Sequence, residues 1–418
     1  MTNSEPSSNP PTVYVWVWLP GASEPVVAGR LDDRRPVATF TYGRSYLDNP
    51  DAVALSLPEL PLEPGETPPA SGTLPGCIAD SAPDAWGRRV IEHRHRLADR
   101  DISELGYLLN SGSDRAGALD FQRSPTEYVP RVAEQSSVAE LAEAAAAIEE
   151  GRPLSPALER ALLGGTSMGG ARPKASLADR SRRVIAKFSS ASDSYPVVKA
   201  EFIAMELARR AGIDAASVTL ISAVGRDVLL VDRFDRTPRG GRRLMVSAQT
   251  VLKLHDAYGI AGRYGTYVDF ADQIRARFVS ADATLRELFS RIVFNMLVSN
   301  TDDHPKNHAA FWDGEMLSLT PAYDICPQLR AGGEAFQAMA YGPNGERISQ
   351  VSGCVEHAGR YHLSRSEAAD IVQHHIEVIR SEWSEVCDLA QLSTPEREQL
   401  WERQFLNPFT INLGAIHA

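Results

Sequence analysis

Cysteine is scarce: Cys77, Cys326, Cys354 and Cys387 are the four in 418 residues, and no two form a Cys-x-x-Cys pair. That spacing excludes a zinc ribbon and a disulfide framework as the basis of the fold, and it fits a reducing compartment. The one Cys-x-x-His pair, Cys354 and His357, has no second pair near it, and His374 with His375 reads as packing and surface residues of a helix. Positive charge is in deficit as well. A net charge of −11 leaves the chain ill-suited to neutralise a phosphate backbone, so direct strong nucleic-acid binding is not expected. The basic run RTPRGGRR, Arg236 to Arg243, reads as a solvated hairpin turn, with a local nucleic-acid contact as the alternative. No run of about eighteen apolar residues occurs, and MTNSEPSSNPPT lacks the basic and apolar regions of a secretion signal. A disordered tail over residues 1–12 and a cytoplasmic protein without a membrane span are the expectations. Internal repeats are absent, and so is the GxxxxGK[ST] order of a P-loop NTPase.

What is present suits a large enzyme. Hydrophobic residues make up 43% of the chain, ample for a core, and its length favours a bilobal or two-domain body. YVWVWL opens a strand-rich amino-terminal part, and the Pro-rich run Leu57 to Gly72 is a loop by composition. APDAWGRRVIEHRHRL begins the first clear helix, with Trp86 placed to anchor it to a sheet. Ser137 and Glu140 form a capping-box pattern ahead of LAEAAAAIEE. From about residue 245 onward helical periodicity dominates.

The chemistry concentrates in NTDDHPKN, Asn300 to Asn307, and in LTPAYD, whose aspartate follows Asn307 by seventeen residues. A kinase catalytic loop spaces an Asp base about five residues before an Asn that holds Mg²⁺, with a later Asp as second metal ligand. Asp302, Asn307 and Asp324 fit that spacing, and the hard oxygens of Asn307 and Asp324 are what Mg²⁺ accepts. A polar surface turn is the alternative for such a loop on its own. The flanks favour the first reading: Leu285, Leu288, Phe289, Ile292, Val293, Met296 and Leu297 make a helical stripe upstream, and AAFWDGEMLSLTPAYD reads as a hairpin turning at Asp313 and Gly314.

Upstream, GGTSMGGARPKAS (Gly164 to Ser176) is rich in glycines such as Gly169 and Gly170, which let backbone N–H groups approach a phosphate, while Arg172 and Lys174 add charge. VIAKF, Val184 to Phe188, is a strand pattern with Lys187 where a kinase lysine would grip nucleotide phosphates. An amphipathic helix follows from about Val198 to Gly212, and Glu201 near its start could pair with Lys187 or simply sit in solvent at the helix start. SVTLISAVGRDVLLVDRFDR then reads as two strands about a turn at Gly225, with Val231 to Phe234 at the place of an adenine-binding hinge or, alternatively, an ordinary edge strand.

The ordered set SMGGARPK, VIAKF, LLVDRFDR, NTDDHPKN and LTPAYD resembles the HipA family, the serine/threonine-kinase toxins of bacterial toxin–antitoxin modules. PGCIADSAPDAWGRR (Pro75 to Arg89) and YLLNSGSDRAGALDF (Tyr107 to Phe121) resemble that family's amino-terminal subdomain, so the likeness spans Val13 to beyond Trp401. It implies an α+β, protein-kinase-like bilobal fold: an added β-rich subdomain over 13–125, the rest of a mixed N-lobe over 126–235 and a mostly helical C-lobe over 236–418. By the same likeness Asp302 is the base, with His304 the family's catalytic-loop histidine. Asn307 and Asp324 hold Mg²⁺, and Gly169, Gly170, Lys174, Lys187, Asp232 and Phe234 bind ATP. Ser167 matches the serine whose autophosphorylation ejects the loop, with Thr166 or Ser176 as alternatives. The implied partners are a HipB-like DNA-binding antitoxin and a protein substrate such as an aminoacyl-tRNA synthetase. A co-repressor subunit and a small-molecule kinase remain the other readings.

Overall fold

The computed structural model describes residues 11–95, 102–132, 136–179, 182–255, 264–330 and 332–412. Of the tail expected over residues 1–12, residues 1–10 lie outside the described residues, and Thr12 already opens the first strand. In β1 (Thr12–Val17) the alternating Val13, Val15 and Val17 are fully buried, as a strand with one face on a core requires. It pairs antiparallel with β2 (Val26–Arg34), which pairs with β3 (Val37–Tyr42). The two-residue β4 (Glu66–Thr67) closes one edge, inside the Pro-rich stretch that composition marks as loop throughout. On the other side of β1 lies β5 (Leu119–Gln122), giving the order β4-β3-β2-β1-β5.

A second antiparallel sheet, in the order β6-β7-β9-β8, is made by β6 (Lys174–Asp179), β7 (Arg182–Phe188), β8 (Val218–Ala223) and β9 (Arg226–Asp232). Period two divides β7: Val184, Ala186 and Phe188 join a core with Trp86, Leu141 and Ala144, so Lys187 points to the other face. Behind that core is the Val138–Glu149 helix, started by the Ser137–Glu140 capping box. Trp86, in the Ala85–His95 helix, donates its indole N–H to the Lys174 carbonyl at 2.9 Å, which fastens the helix to the start of β6. Across the open face runs the Val197–Arg210 helix, ended by Gly212 at φ +82, a conformation glycine adopts freely.

The remaining part is mostly helical, with β10 (Met245–Ser247), β11 (Ala309–Trp312) and β12 (Leu317–Leu319) forming a small sheet. Its centre is the Ala281–Leu297 helix, whose Leu288, Phe289, Ile292, Val293 and Met296 are fully buried. Each such side chain stabilises the fold by roughly 1.5–3 kcal/mol. The long Arg365–Leu389 helix packs on both this helix and Val197–Arg210, tying the two parts together.

His375 of that helix is buried, its Nε2 2.8 Å from Ser290 Oγ. Burial, and then His374, push its pKa down to about 3. The unfolded chain therefore binds a proton that the folded one refuses: this contribution is whole above the unfolded value near 6.5 and is lost as pH falls toward 3, at ~1.4 kcal/mol per pH unit. A His375→Gln variant is expected to show a flatter loss of denaturant midpoint between about pH 6.5 and pH 4. An unchanged slope would remove His375 from the acid response.

Candidate active site

Register sets the two lysines side by side. Lys174 and Lys187 are cross-strand partners on β6 and β7, so both point to the face covered by the Val197–Arg210 helix. Lys187 Nζ donates to Glu201 Oε1 at 2.5 Å and also to Asp324 Oδ1. Glu201 is buried, which answers the question its position in the sequence left open: it pairs with Lys187. Lys187 supplies the main effect holding the Asp324 pKa down to about 2, against opposing burial. Burial in turn raises the Glu201 pKa, with Lys187 acting against it. Lys174 is the first residue of β6 rather than a loop residue, and its ammonium folds back onto the Gly169 carbonyl. Burial, and next the charge of Lys187, lower its pKa to about 8.

The acidic loop is built from below. Asn300 caps the end of the Ala281–Leu297 helix, following Ser299 at φ 55 and donating its N–H to the Asn295 carbonyl at 2.8 Å. The two adjacent aspartates then part company. Asp303 is buried and accepts from Tyr267 Oη, from Asn295 Nδ2 at 2.9 Å and from His308 Nε2 at 2.8 Å, anchoring the loop. Asp302 is exposed, and among the described residues no hydrogen bond or ion pair engages its carboxylate. His304 is half-buried. Asn307 closes a single 3₁₀ turn, Pro305–Asn307, and is largely buried. The hairpin of β11 and β12 returns the chain to Asp324, whose φ of 59° is the left-handed conformation and whose side chain is 42% exposed. Strained backbone of this kind gathers at functional sites.

The glycine-rich segment is packed down rather than open. A Cβ at Gly87 would stand 1.8 Å from the Thr166 carbonyl, and one at Gly165 2.2 Å from the Lys174 carbonyl, so both contacts need glycine. Ser167 is buried, accepting from Arg115 Nη1 at 3.2 Å and donating to the Gly112 carbonyl at 3.3 Å. Thr166 donates to the Leu163 carbonyl at 2.7 Å, and Ser176 to Asp114 at 2.5 Å. None of the described contacts links Ser167 to Asp302. Gly169 and Gly170 remain exposed.

Phe234 packs against Tyr323 and Phe311, with ring centroids 5.7 and 5.9 Å away, which sets the end of β9 beside Asp324. Asp232 closes β9, 3.3 Å from Arg182 of β7. Arg172, expected to add charge to this segment, is paired with Asp193 at 2.8 Å. One expectation needs correction. RTPRGGRR is no solvated turn throughout: Arg236 binds Asp114 and Asp235 at 2.8 and 2.9 Å, and Arg242 lies 3.6 Å over the Trp18 ring. Besides the adjacent Asp235, the partners that recruit them are Asp114, in the loop before β5, and Trp18, just after β1, both more than 100 residues away in sequence. Sequence reasoning also missed the roles of Asp84, Lys306, Asp303 and Arg115: each lies in a segment the motifs mark, but their partners are distant in sequence or, within the loop itself, carry no pattern.

A sheet lysine joined to a helix glutamate, with a helix, an acidic loop and a hairpin ending in Asp beneath it, defines an α+β protein-kinase-like fold. Residues 17–122 match the HipA N-terminal domain and residues 166–383 the HipA-like C-terminal domain. The chain belongs to the HipA family of kinases. It is 25% identical over 340 residues, 74% of its length and 76% of the relative's, to a Sinorhizobium fredii protein named as a kinase, Y4mE. It is 28% identical over 141 residues to the serine/threonine-protein kinase toxin HipA of Shewanella oneidensis, covering 30% of this chain and 33% of that one. The fold is similar to a solved Shewanella oneidensis HipA, HipB and operator DNA complex, with TM-score 0.65 at 21% identity, over 94% of this chain and 99% of that one. Among the described residues no helix is long and apolar enough to cross a membrane.

Proposed function

We propose that the chain is an ATP- and Mg²⁺-dependent serine/threonine protein kinase acting as a cytoplasmic toxin, switched off by phosphorylation of its own Ser167. The observation that carries this reading is the joint placement of Lys187, Glu201 and Asp324 above a loop in which Asp302 is free and Asn307 is fixed. The donor set fits a metal-bound nucleotide: two lysines and glycine N–H groups for phosphate, and two hard oxygen side chains for Mg²⁺. ATP, when bound, supplies the phosphoryl group. Asp302 would accept the proton of the incoming hydroxyl, Asn307 and Asp324 would hold the metal, Lys187 and Lys174 would balance phosphate charge, and Phe234 and Asp232 would border the adenine side. His304 lies two residues after the base, at the place of the family's catalytic-loop histidine.

Ser167 supports the switch. At its buried position a phosphate of about −1.5 to −2 charges does not fit beside the Gly112 carbonyl with the loop in place. Ser167→Asp is expected to weaken ATP affinity roughly tenfold or more relative to Ser167→Ala by calorimetry. Equal affinities would count against the switch. The likeness to the solved complex of HipA, HipB and operator DNA supports a HipB-like DNA-binding antitoxin as partner; a translation component, such as an aminoacyl-tRNA synthetase, is the target we propose. Expression of the chain without a partner should slow bacterial growth more than expression of Asp302→Asn does; equal growth would leave the co-repressor role as the better reading.

A further inference from the structure

Asp84 joins two phosphate-facing segments that lie far apart in the chain. It precedes the Ala85–His95 helix, and its carbonyl accepts from Arg88 N–H at 2.9 Å in the first turn. Its side chain, an acceptor suited to capping that helix, is turned the other way. Oδ2 accepts the Gly170 N–H at 2.9 Å, and Oδ1 accepts the Lys306 ammonium at 2.7 Å. Lys306 sits between Asp302 and Asn307 in the acidic loop, while Gly170 is the second glycine of the exposed pair in the glycine-rich loop.

The geometry around Gly170 is closely specified. Its φ is +92, and a Cβ there would stand 2.5 Å from Lys174 Nζ. Its carbonyl accepts from the Trp86 N–H at 3.3 Å, so both of its peptide groups are held by the Asp84–Trp86 segment. Burial acts to raise the Asp84 pKa, yet Lys306, the Gly170 amide and Lys174 carry it below the usual carboxylate range, leaving an anion at neutral pH. An anion that takes one bond from a glycine-loop N–H and another from a catalytic-loop lysine has the donor set that recognises a phosphate oxygen.

We infer that Asp84 is an internal stand-in for the terminal phosphate, an autoinhibitory contact that keeps Gly170 and Lys306 occupied until a nucleoside triphosphate takes them over. The inference rests on the kinase reading. It makes Asp84 a determinant of triphosphate over diphosphate affinity, because a diphosphate has no terminal group to compete for those two donors. The alternative role, a strut that merely stiffens the loop, has no such selectivity.

The test is calorimetry of the full chain, wild type and with Asp84→Asn or Asp84→Ala, titrated with Mg²⁺ plus either ADP or a non-hydrolysable ATP analogue. Asp84 has a side chain 27% exposed at a helix start, and Asn keeps its size, so both variants are expected to fold. Both should bind the triphosphate analogue roughly tenfold more tightly than wild type, with ADP affinity changed less than about twofold. In Asp84→Ala without nucleotide, amide exchange over residues 164–176 should quicken. Equal weakening of both nucleotides, or no change in either, overturns the inference while leaving the kinase reading intact. Failure of the wild type to bind either nucleotide overturns the kinase reading and this inference with it.

Discussion

Asp302→Asn is expected to lower phosphoryl transfer by roughly 10²–10⁴-fold while nucleotide affinity stays within about twofold, since a positioned general base contributes on that scale to the chemical step alone. The separation follows from what Asp302 touches. Its carboxylate is exposed and unengaged among the described residues, so replacing it disturbs no packing. Its neighbour is the control. Asp303 is buried among Tyr267, Asn295 and His308, so Asp303→Asn should lower the unfolding midpoint and loosen the whole loop. Single-turnover transfer and calorimetry on the same samples check the pair. Retained turnover in Asp302→Asn, or a stability loss as large as that of Asp303→Asn, would move the base assignment elsewhere.

Lys187→Met should have the second large effect, this time on both stability and binding. Lys187 and Glu201 expose only 13% and 3% of their side chains, and removal of the lysine leaves the Glu201 charge buried without its partner. Breaking a buried pair from one side costs about 3–5 kcal/mol. The double variant Lys187→Met, Glu201→Gln should recover most of that loss, because the carboxylate that still lacks its lysine, Asp324, is 42% exposed and reaches solvent, yet it should still bind nucleotide poorly. Chemical denaturation and nucleotide titration of the single and double variants measure the two effects separately. If the double variant is as unstable as the single one, Glu201 is not the residue the lysine compensates; if it binds nucleotide normally, Lys187 is not a phosphate ligand.

The elements that carry the site were legible where a local period or turn governs them. The buried stripe of the Ala281–Leu297 helix, the alternation in β7, the turn at Asp313 and Gly314 and the Ser137 capping box each follow from residues close in sequence, and the structure has each of them. What stayed hidden depends on contacts between distant segments. Nothing in DD distinguishes the exposed Asp302 from the buried Asp303; the distinction comes from Tyr267 and Asn295, on two other helices. Arg115 reaches Ser167 across 52 residues, and Asp84 reaches Lys306 across 222. Arg236 and Arg242 look solvent-bound by composition and are held only because Asp114 and Trp18 of the amino-terminal part meet them, while Arg239 and Arg243 stay exposed. Such pairings are properties of the packed body and leave no spacing signature in the chain.

The central claim, that this chain transfers the terminal phosphate of ATP to serine or threonine, is tested most directly by incubating the purified protein with Mg²⁺ and γ-labelled ATP. The incubation is run alone and with a bacterial lysate, Asp302→Asn serves as control, and labelled positions are mapped by mass spectrometry. Label on Ser167 and on a serine or threonine of a lysate protein, absent with Asp302→Asn, is the predicted result. Measurable ATP binding with no label on any protein, or equal label with Asp302→Asn, would contradict it.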